Sequence, residues 1–359
     1  MKNKKIGAIE ALRFIGMLFI FLCHIDFIQY ANNYNIKLIA EHFKFGAVGV
    51  ELFIVMSGFA ITLGYFNRSI SYKDFILRRL NRIYPLYFVF LIVGIFYMYN
   101  YFLTSPILTF AKLCQHIFLL QTIIPTSSVT AFNGAAWTVA TLFICYLTVP
   151  ILFKGFKHKM KSTIIILFIY ILFVNIVALY LEENFSNSLY IWLTYLSPFY
   201  RFLDFFIGVC FGIIFINIQN LSKRLSANAF SLIEILLTTT WIYFTFNQIN
   251  IQVYGIICSG LLLVFSFQKG CISKSFKQQI WIKLGALSYS FYLCHYLILM
   301  VTTKLILQYN LNTDCIIITA SICCFLSSII VAYVVNTKIE QKLDNWFSLK
   351  ILNKINYKN

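Results

Sequence analysis

Long apolar runs follow one another along almost the whole chain, and short polar segments separate them. A helix needs about 20 apolar residues to cross the hydrocarbon core of a bilayer. We therefore predict an all-α polytopic membrane protein with about ten transmembrane helices in one bundle. The predicted spans are 8–28, 46–66, 82–102, 133–153, 162–181, 199–217, 229–246, 250–267, 284–306 and 313–335.

The composition supports this interpretation. Hydrophobic residues make up 60% of the 359 positions, and charged residues make up only 11%. Soluble globular domains carry about 25% charged residues, so this composition excludes ordinary soluble and disordered proteins. The ten cysteines are scattered, without metal-binding or disulfide spacing. We expect them to pack as small apolar residues, and we expect no metal site.

The positive charges predict the orientation of the spans. The net charge is +17, and most of the 29 Lys and Arg residues fall in alternate connecting segments. Cytoplasmic loops carry such an excess, so both termini and a basic tail at 341–359 are predicted to be cytoplasmic. This pattern explains the high net charge without a nucleic-acid partner. The outer segments then hold only Lys37, Lys44 and Lys112.

The first predicted span carries three polar residues, Glu10, Arg13 and His24. A charged group inside a membrane is costly, so each is a functional candidate. Helical spacing places all three on one face, and Glu10 can pair with Arg13 at i, i+3. The alternative is a stabilising ion pair together with a histidine that reaches the interface.

Later spans add four more polar candidates. Glu51 lies in the outer part of the second span, Arg201 and Asp204 in that of the sixth, and His295 near the middle of the ninth. We expect His24, Glu51, Arg201 and Asp204 to meet in one polar site rather than face lipid. Structural ion pairs and hydrogen bonds remain the alternative for each of them.

Two arginines mark the predicted cytoplasmic boundary of the third span. Arg79 and Arg82 lie one helical turn apart. Paired guanidinium groups suit phosphate oxygens, because each presents a planar fork of donors. The alternative is that both residues serve only as the positive signal that orients the span.

Six segments together resemble the membrane acyltransferase-3 family, in family order and over about residues 6 to 340. These integral-membrane O-acyltransferases modify bacterial surface glycans and antibiotics. The segments are IEALRFIGMLFIFLCHIDF, FGAVGVELFIVMSGFAITLGY, FILRRLNRIYPLYF, NGAAWTVATLFICYLTVP, SPFYRFLDFFIGVCFG and LGALSYSFYLCHYLIL. We accordingly expect an acyltransferase-3-like domain at 1–340.

The resemblance implies roles for four of the candidates. Arg13 and His24 match the family's Arg-x10-His motif, which is regarded as essential to acyl transfer. Arg79 and Arg82 match its Arg-x-x-Arg motif. The implied donor is cytoplasmic acetyl-coenzyme A. The implied acceptor is a hydroxyl of a surface glycan or lipid-linked sugar, at a bacterial cytoplasmic membrane.

One position departs from the family pattern. Many members have a glutamate five residues after the tryptophan of the fourth span, but here Trp137 is followed at that distance by Leu142. Any carboxylate that assists the reaction must therefore come from elsewhere. We expect Glu51 or Asp204 to supply it. We expect substrate contacts from Trp137, Arg201 and His295.

The predicted mechanism makes His24 the base that removes the proton of the attacking hydroxyl. Glu51 or Asp204 would orient its ring, and Arg13 would stabilise the oxyanion or guide the acyl arm. A ten-span exporter or flippase of glycan or lipid-linked sugar, without acyl-transfer chemistry, is the alternative. The arginine pair at 79 and 82 discriminates between them, because an exporter needs no site for coenzyme A phosphates.

Overall fold

The computed structural model describes residues 6–98, 103–125, 129, 131–185, 187–220, 225–247 and 251–343. All regular structure among these residues is helical, which confirms the predicted all-α fold. Two 3₁₀ segments, Asp26–Tyr30 and Lys44–Ala47, and two π-helical segments, Trp192–Leu196 and Asn336–Glu340, accompany the α-helices. The α-helices are α1 Gly7–Cys23, α2 Tyr34–Phe43, α3 Val48–Tyr65, α4 Tyr72–Tyr97, α5 Pro106–Ile117, α6 Trp137–His158, α7 Met160–Asn184, α8 Asn187–Ile191, α9 Pro198–Ile218, α10 Ala227–Phe246, α11 Ile251–Ser266, α12 Cys271–Ser275, α13 Gln279–Gln308 and α14 Asp314–Val335.

Nine helical segments of the described chain are long and apolar enough to cross a membrane, which confirms a polytopic fold. The predicted span 250–267 differs: it forms α11, a helix of 16 residues. Sixteen residues reach about 24 Å at 1.5 Å per residue, short of a hydrocarbon core of about 30 Å. The nine segments are Gly7–Tyr30, Val48–Tyr65, Tyr72–Tyr97, Trp137–His158, Met160–Asn184, Asn187–Ile218, Ala227–Phe246, Gln279–Gln308 and Asp314–Leu343.

Helix α4 begins ten residues before the predicted span at 82–102. The Ser71 side chain caps it by accepting a hydrogen bond from the Asp74 N–H at 3.1 Å. The Ser71 hydroxyl also donates to the Asp74 carboxylate at 2.7 Å. The first of these bonds satisfies one of the N–H groups that the first turn leaves open, and the second fixes the Ser71 side chain in place. The polar turns that follow it carry Arg79 and Arg82 on the same helix as the apolar span.

The structure divides into two compact units. Unit 1 comprises Met1–Leu63 and Ile207–Asn359, and unit 2 comprises Gly64–Phe206. Both boundaries lie inside helices, α3 and α9. Most of the predicted basic tail at 341–359 lies outside the described residues, as do lysines 2, 4 and 5. The predicted boundary at 340 therefore stays a prediction.

Unit 1 is built around α13, which packs against both α1 and α14, while α10 packs against α11. Two glycines bring helices into close contact with α1. A methyl group on Gly285 would come within 2.5 Å of the Glu10 carbonyl oxygen, and one on Gly49 would meet the Gly16 backbone. Small residues of this kind let helix backbones approach within a membrane protein.

A buried carboxylate holds the turn that precedes α13, which is the one-turn helix α12 with its N-cap Gly270. Glu234 on α10 is fully buried. It accepts hydrogen bonds from the backbone N–H groups of Gly270 at 3.1 Å and of Ile272 and Ser273 at 3.0 Å. The same turn supports α1, because Gly7 lies directly against the backbone of Phe276.

Unit 2 contains α4, α6 and α7, and α6 packs against both of the others. Helix α7 is the most apolar of the nine candidate spans, with a mean hydropathy of 2.9, yet only 17% of its apolar window is buried. A long helix that exposes apolar side chains along most of its length is typical of a surface that faces lipid.

Candidate functional site

The structure pairs two of the predicted site residues, His24 and His295, although 271 positions separate them. The two ring nitrogens His24 Nδ1 and His295 Nε2 lie 3.1 Å apart. His295 is buried on α13, whereas His24 is partly exposed just beyond the last residue of α1. The edge of the His24 ring also meets Tyr296, with ring centroids 5.2 Å apart.

The local fold around His24 differs from the single helix predicted over 8–28. Helix α1 ends at Cys23, and His24 caps it with φ −96° and ψ 2°. The last turn tightens, because the N–H groups of His24 and Ile25 bond to carbonyls three residues back. His24 therefore lies at a helix end, where its ring can turn towards α13.

The hydrogen-bond partner of the His24 ring is a second imidazole. Among the described residues, the hydrogen bond of the His24 side chain is the one with His295. The expectation that Glu51 or Asp204 orients this ring stays a prediction. His295 reaches His24 because α13 packs along α1 and brings its own polar side chain to the end of that helix.

The predicted Glu10–Arg13 pair is present on α1. An Arg13 guanidinium nitrogen lies 3.0 Å from one Glu10 carboxylate oxygen and 3.2 Å from the other. Glu10 is buried where α1 meets Gly285, whereas the Arg13 side chain keeps 31% of its surface exposed. The pairing of opposite charges lowers the cost of placing Arg13 in a membrane span, and its guanidinium side chain keeps exposed surface.

Glu51 is buried in the first turn of α3. A negative charge is favoured there, because the N–H groups at the start of a helix carry partial positive charge. Glu51 also lies close enough to Tyr254 of α11 for the two groups to interact electrostatically. Its position therefore has a structural explanation within unit 1.

Three predicted residues of unit 2 come together around the π-helical segment Trp192–Leu196. Arg201 is fully buried and binds the Asp204 carboxylate at 2.9 Å. Its Nε atom donates to the Tyr195 carbonyl at 2.7 Å, and its guanidinium lies over the Tyr195 ring, 4.9 Å from the centroid. Trp137 also packs against Tyr195, with the two ring centroids 5.3 Å apart.

The seven polar candidates of the predicted spans are thus distributed over the two units. His24 with His295, Glu10 with Arg13, and Glu51 belong to unit 1, and Arg201 with Asp204 belongs to unit 2. The expectation that His24, Glu51, Arg201 and Asp204 meet in one site stays a prediction.

Arg79 is held by an aromatic clamp. One of its guanidinium nitrogens donates to the Tyr65 hydroxyl at 2.6 Å. The same guanidinium lies 4.8 Å from the Tyr65 ring centroid and 5.9 Å from that of Phe75. Arg82, one turn further along α4, is exposed. The predicted fork therefore consists of one immobilised and one exposed guanidinium group.

A cationic cavity of about 200 Å³ lies in unit 2, and Tyr65 and Phe75 form part of its wall. Its basic lining comes from Arg68, Lys154, Lys157 and His158. The sequence pattern predicted only an orienting role for Arg68, Lys154 and Lys157, although Lys154 and Lys157 are spaced one turn apart at the end of α6. The cavity is smaller than the 300–1,000 Å³ of typical small-molecule pockets. It suits one anionic group rather than a whole ligand.

The described residues contain no group of three or more His, Cys, Asp or Glu side chains that could hold a metal ion. The side chains described above supply imidazole, guanidinium, ammonium and carboxylate groups. A paired imidazole can move a proton, and a cationic cavity can hold phosphate.

Comparison with known proteins identifies the family. A model described as "Acyltransferase domain", that of the acyltransferase-3 family, matches residues 6–337, which is most of the chain. The chain belongs to the acyltransferase-3 family. This confirms the resemblance predicted from the six sequence segments, and it supports acyl transfer as the activity of a multi-pass membrane protein.

A curated relative supports the same assignment of this acyltransferase-3 member. The chain is 28% identical over 157 residues to "Acyltransferase MdmB" of Streptomyces mycarofaciens. The match covers 42% of this chain and 40% of that protein, so it spans less than half of the relative's length. No solved structure matches the chain significantly.

The family motifs map onto both units of this acyltransferase-3 member. The Arg-x10-His motif gives Arg13 and His24 in unit 1, and the Arg-x-x-Arg motif gives Arg79 and Arg82 in unit 2. Leu142, where many members have glutamate, lies partly exposed on α6. The individual catalytic and binding roles of these residues stay predictions.

Proposed function

We propose that the protein is an O-acyltransferase of a bacterial cytoplasmic membrane, with both termini in the cytoplasm. It moves an acetyl group from cytoplasmic acetyl-coenzyme A to a hydroxyl of a surface glycan or lipid-linked sugar. Family membership supports acyl transfer. The observation that carries the choice of a hydroxyl acceptor is the hydrogen-bonded pair of His24 and His295.

A sugar hydroxyl is a weak nucleophile until a base removes its proton during attack. His24 suits this role, because its ring is partly exposed while the ring that orients it is buried. Such an arrangement of reactive and orienting groups is the general pattern of base-assisted acyl transfer.

The proposed step transfers one acyl group and one proton. The hydroxyl oxygen attacks the thioester carbonyl carbon while His24 takes the hydroxyl proton. The carbon–sulfur bond then breaks, and the sulfur of coenzyme A leaves and receives that proton from His24. Arg13 lies about 16 Å before His24 along α1 at 1.5 Å per residue, so its partly exposed guanidinium guides the acyl arm from the cytoplasmic side rather than contacting the reacting carbonyl.

The donor phosphates are assigned to unit 2. Arg79 and Arg82 provide guanidinium groups on α4, and the cavity beside Tyr65 adds Lys154 and Lys157. Cationic side chains around a cavity of phosphate size favour an anionic ligand with several charges. The acceptor contacts predicted for Trp137, Arg201 and His295 remain part of the proposal.

Calorimetric titration of the purified protein with coenzyme A tests donor binding. A lost charged hydrogen bond costs about 1.5–3 kcal/mol, which is roughly a ten- to hundred-fold loss of affinity. We expect Arg79→Ala, Arg82→Ala and the double variant Lys154→Ala/Lys157→Ala each to lose at least about tenfold. The exposed Lys161 on α7 provides the matched control, so Lys161→Ala should bind normally. Unchanged affinity for coenzyme A in the first three variants would mean that these residues serve only to orient the membrane spans.

Mass spectrometry of surface glycans tests the transfer itself. Cells that carry the intact gene should show sugars heavier by one acetyl group, and cells with His24→Ala or without the gene should lack them. His42 is exposed on α2, so His42→Ala should keep the modification. Glycan that keeps its acetyl groups but no longer reaches the surface in the deletion strain would instead indicate an exporter.

A further inference from the structure

The two histidines form a hydrogen-bonded chain that ends on a backbone carbonyl. His295 Nδ1 lies 3.1 Å from the carbonyl oxygen of Phe291, one turn earlier on α13. Its other ring nitrogen, Nε2, lies 3.1 Å from His24 Nδ1. The chain therefore runs from the Phe291 carbonyl through the buried ring of His295 to the partly exposed ring of His24.

This geometry determines where the protons lie on two neutral rings. A carbonyl oxygen only accepts, so His295 Nδ1 must carry the hydrogen that it donates to Phe291. A neutral imidazole has one donor and one acceptor nitrogen, so His295 Nε2 accepts. His24 Nδ1 must then be the donor. The remaining nitrogen of His24, Nε2, is left with a free lone pair.

The surroundings of His295 favour this neutral state. Its ring is 1% exposed and stacks on Phe291 with ring centroids 5.7 Å apart, and the Phe21 ring lies 6.4 Å away. A charge among apolar rings is costly without a paired opposite charge. Among the described residues, no carboxylate is hydrogen-bonded to either imidazole.

We propose that His295 is a positioning residue that holds His24 in the tautomer with a protonated Nδ1, so that His24 Nε2 is the basic atom. This inference rests on the proposed function, in which His24 is the base. It gives His295 the place that a carboxylate takes in a serine–histidine–aspartate triad. This role is distinct from the substrate contact predicted for His295 from the sequence, which stays a prediction.

The positioning role keeps the proton balance of the proposed step simple. His24 Nε2 takes the hydroxyl proton and becomes a cation, while its Nδ1 hydrogen still bonds to His295 Nε2. The chain ends at Phe291, whose carbonyl does not hold a proton. The proton therefore leaves from His24 Nε2 to the departing sulfur of coenzyme A, and His295 returns unchanged.

Three substitutions separate this role from simple packing. His295→Gln can place an amide oxygen near the former Nε2, where it accepts the hydrogen of His24 Nδ1. His295→Asn keeps the amide but is too short to reach His24. His295→Leu fills the space without any acceptor. If only polarity mattered, the asparagine variant would be as active as the glutamine variant. If only packing mattered, the leucine variant would be as active as the glutamine variant.

Single-turnover and steady-state acetyl transfer to membrane carbohydrate measure the effect. We expect His295→Asn and His295→Leu to lose at least about tenfold in kcat, because one orienting hydrogen bond of this kind is worth about that factor. KM for acetyl-coenzyme A should stay near that of the parent protein. His295→Gln should recover most of the lost kcat. Parent-like kcat in His295→Leu, alongside an inactive His24→Ala, would overturn the proposal.

Solid-state ¹⁵N NMR of histidine-labelled protein in lipid tests the tautomer without any activity. The His24 signals are identified by their loss in His24→Gln. We expect a protonated Nδ1 and an unprotonated Nε2 in the parent and in His295→Gln, and a mixture of tautomers in His295→Leu. A parent protein with the hydrogen on His24 Nε2 would overturn the inference. Absence of acetyl transfer by the parent protein would instead overturn the proposed function, so the two failures are distinct.

Discussion

Replacing Glu234 with glutamine tests how the turn before α13 is held. The buried carboxylate accepts three backbone hydrogen bonds, one through Oε1 from Gly270 and two through Oε2 from Ile272 and Ser273. A glutamine side chain has one accepting oxygen. It can keep at most the two bonds that share one oxygen, and its NH₂ group then faces a third N–H group.

The cost follows from those three bonds. One lost bond to a charged acceptor is worth about 1.5–3 kcal/mol. The other two bonds become neutral and lose about half of their strength, which is a loss of roughly 1 kcal/mol for each bond. The local free energy of unfolding should therefore fall by about 3–5 kcal/mol, at the upper end of single substitutions.

Hydrogen exchange measured by mass spectrometry reads this effect at the turn itself. Amides in the peptide that covers 270–276 should exchange at least about a hundredfold faster in Glu234→Gln, since each 1.4 kcal/mol is a factor of ten. The exposed Glu183 on α7 serves as the matched control, and Glu183→Gln should leave this peptide unchanged. Equal protection of the peptide in Glu234→Gln and the parent protein would refute the reasoning.

Three further substitutions test other contacts. Gly285→Ala places a methyl group within 2.5 Å of the Glu10 carbonyl oxygen. We expect the protein to be destabilised by about 1–3 kcal/mol, as measured by thermal unfolding in detergent, and to show reduced acyl transfer. Tyr65→Phe removes the 2.6 Å hydrogen bond to Arg79 and should weaken coenzyme A binding in calorimetry, but less than Arg79→Ala does. Asp204→Ala removes the carboxylate that binds the buried Arg201 guanidinium and should lower stability by about 3–5 kcal/mol. A parent-like melting temperature would count against this.

The helices could be predicted because hydropathy reports directly on the membrane. Met160–Asn184 has a mean hydropathy of 2.9, and the apolar pattern alone placed a span there. The same signal misses polar helical turns, so it placed the start of α4 at 82. The cap at Ser71 was visible as Ser-x-x-Asp, but it reports on a helix rather than on a membrane span.

The candidate site could be predicted only as far as local spacing reaches. Spacing of three residues correctly paired Glu10 with Arg13. It could not show that His24 bonds to His295, or that Tyr65 holds Arg79 from 14 positions away. Such contacts depend on which helices become neighbours, and that is decided by packing along their whole lengths. The cationic cavity could not be predicted for the same reason, because its lining residues come from different helices.

The bond between His24 and His295 also bears on how the chain is made. It joins residues 271 positions apart. A ribosome that adds about 5–20 residues each second delivers His295 roughly 15–55 seconds after His24. Throughout that interval the first helix lacks the imidazole to which His24 bonds. On the proposed role of His295, a nascent chain therefore carries no oriented base until its translation is nearly finished, and we expect a truncation that removes α13 to transfer acyl groups poorly however well its earlier helices insert.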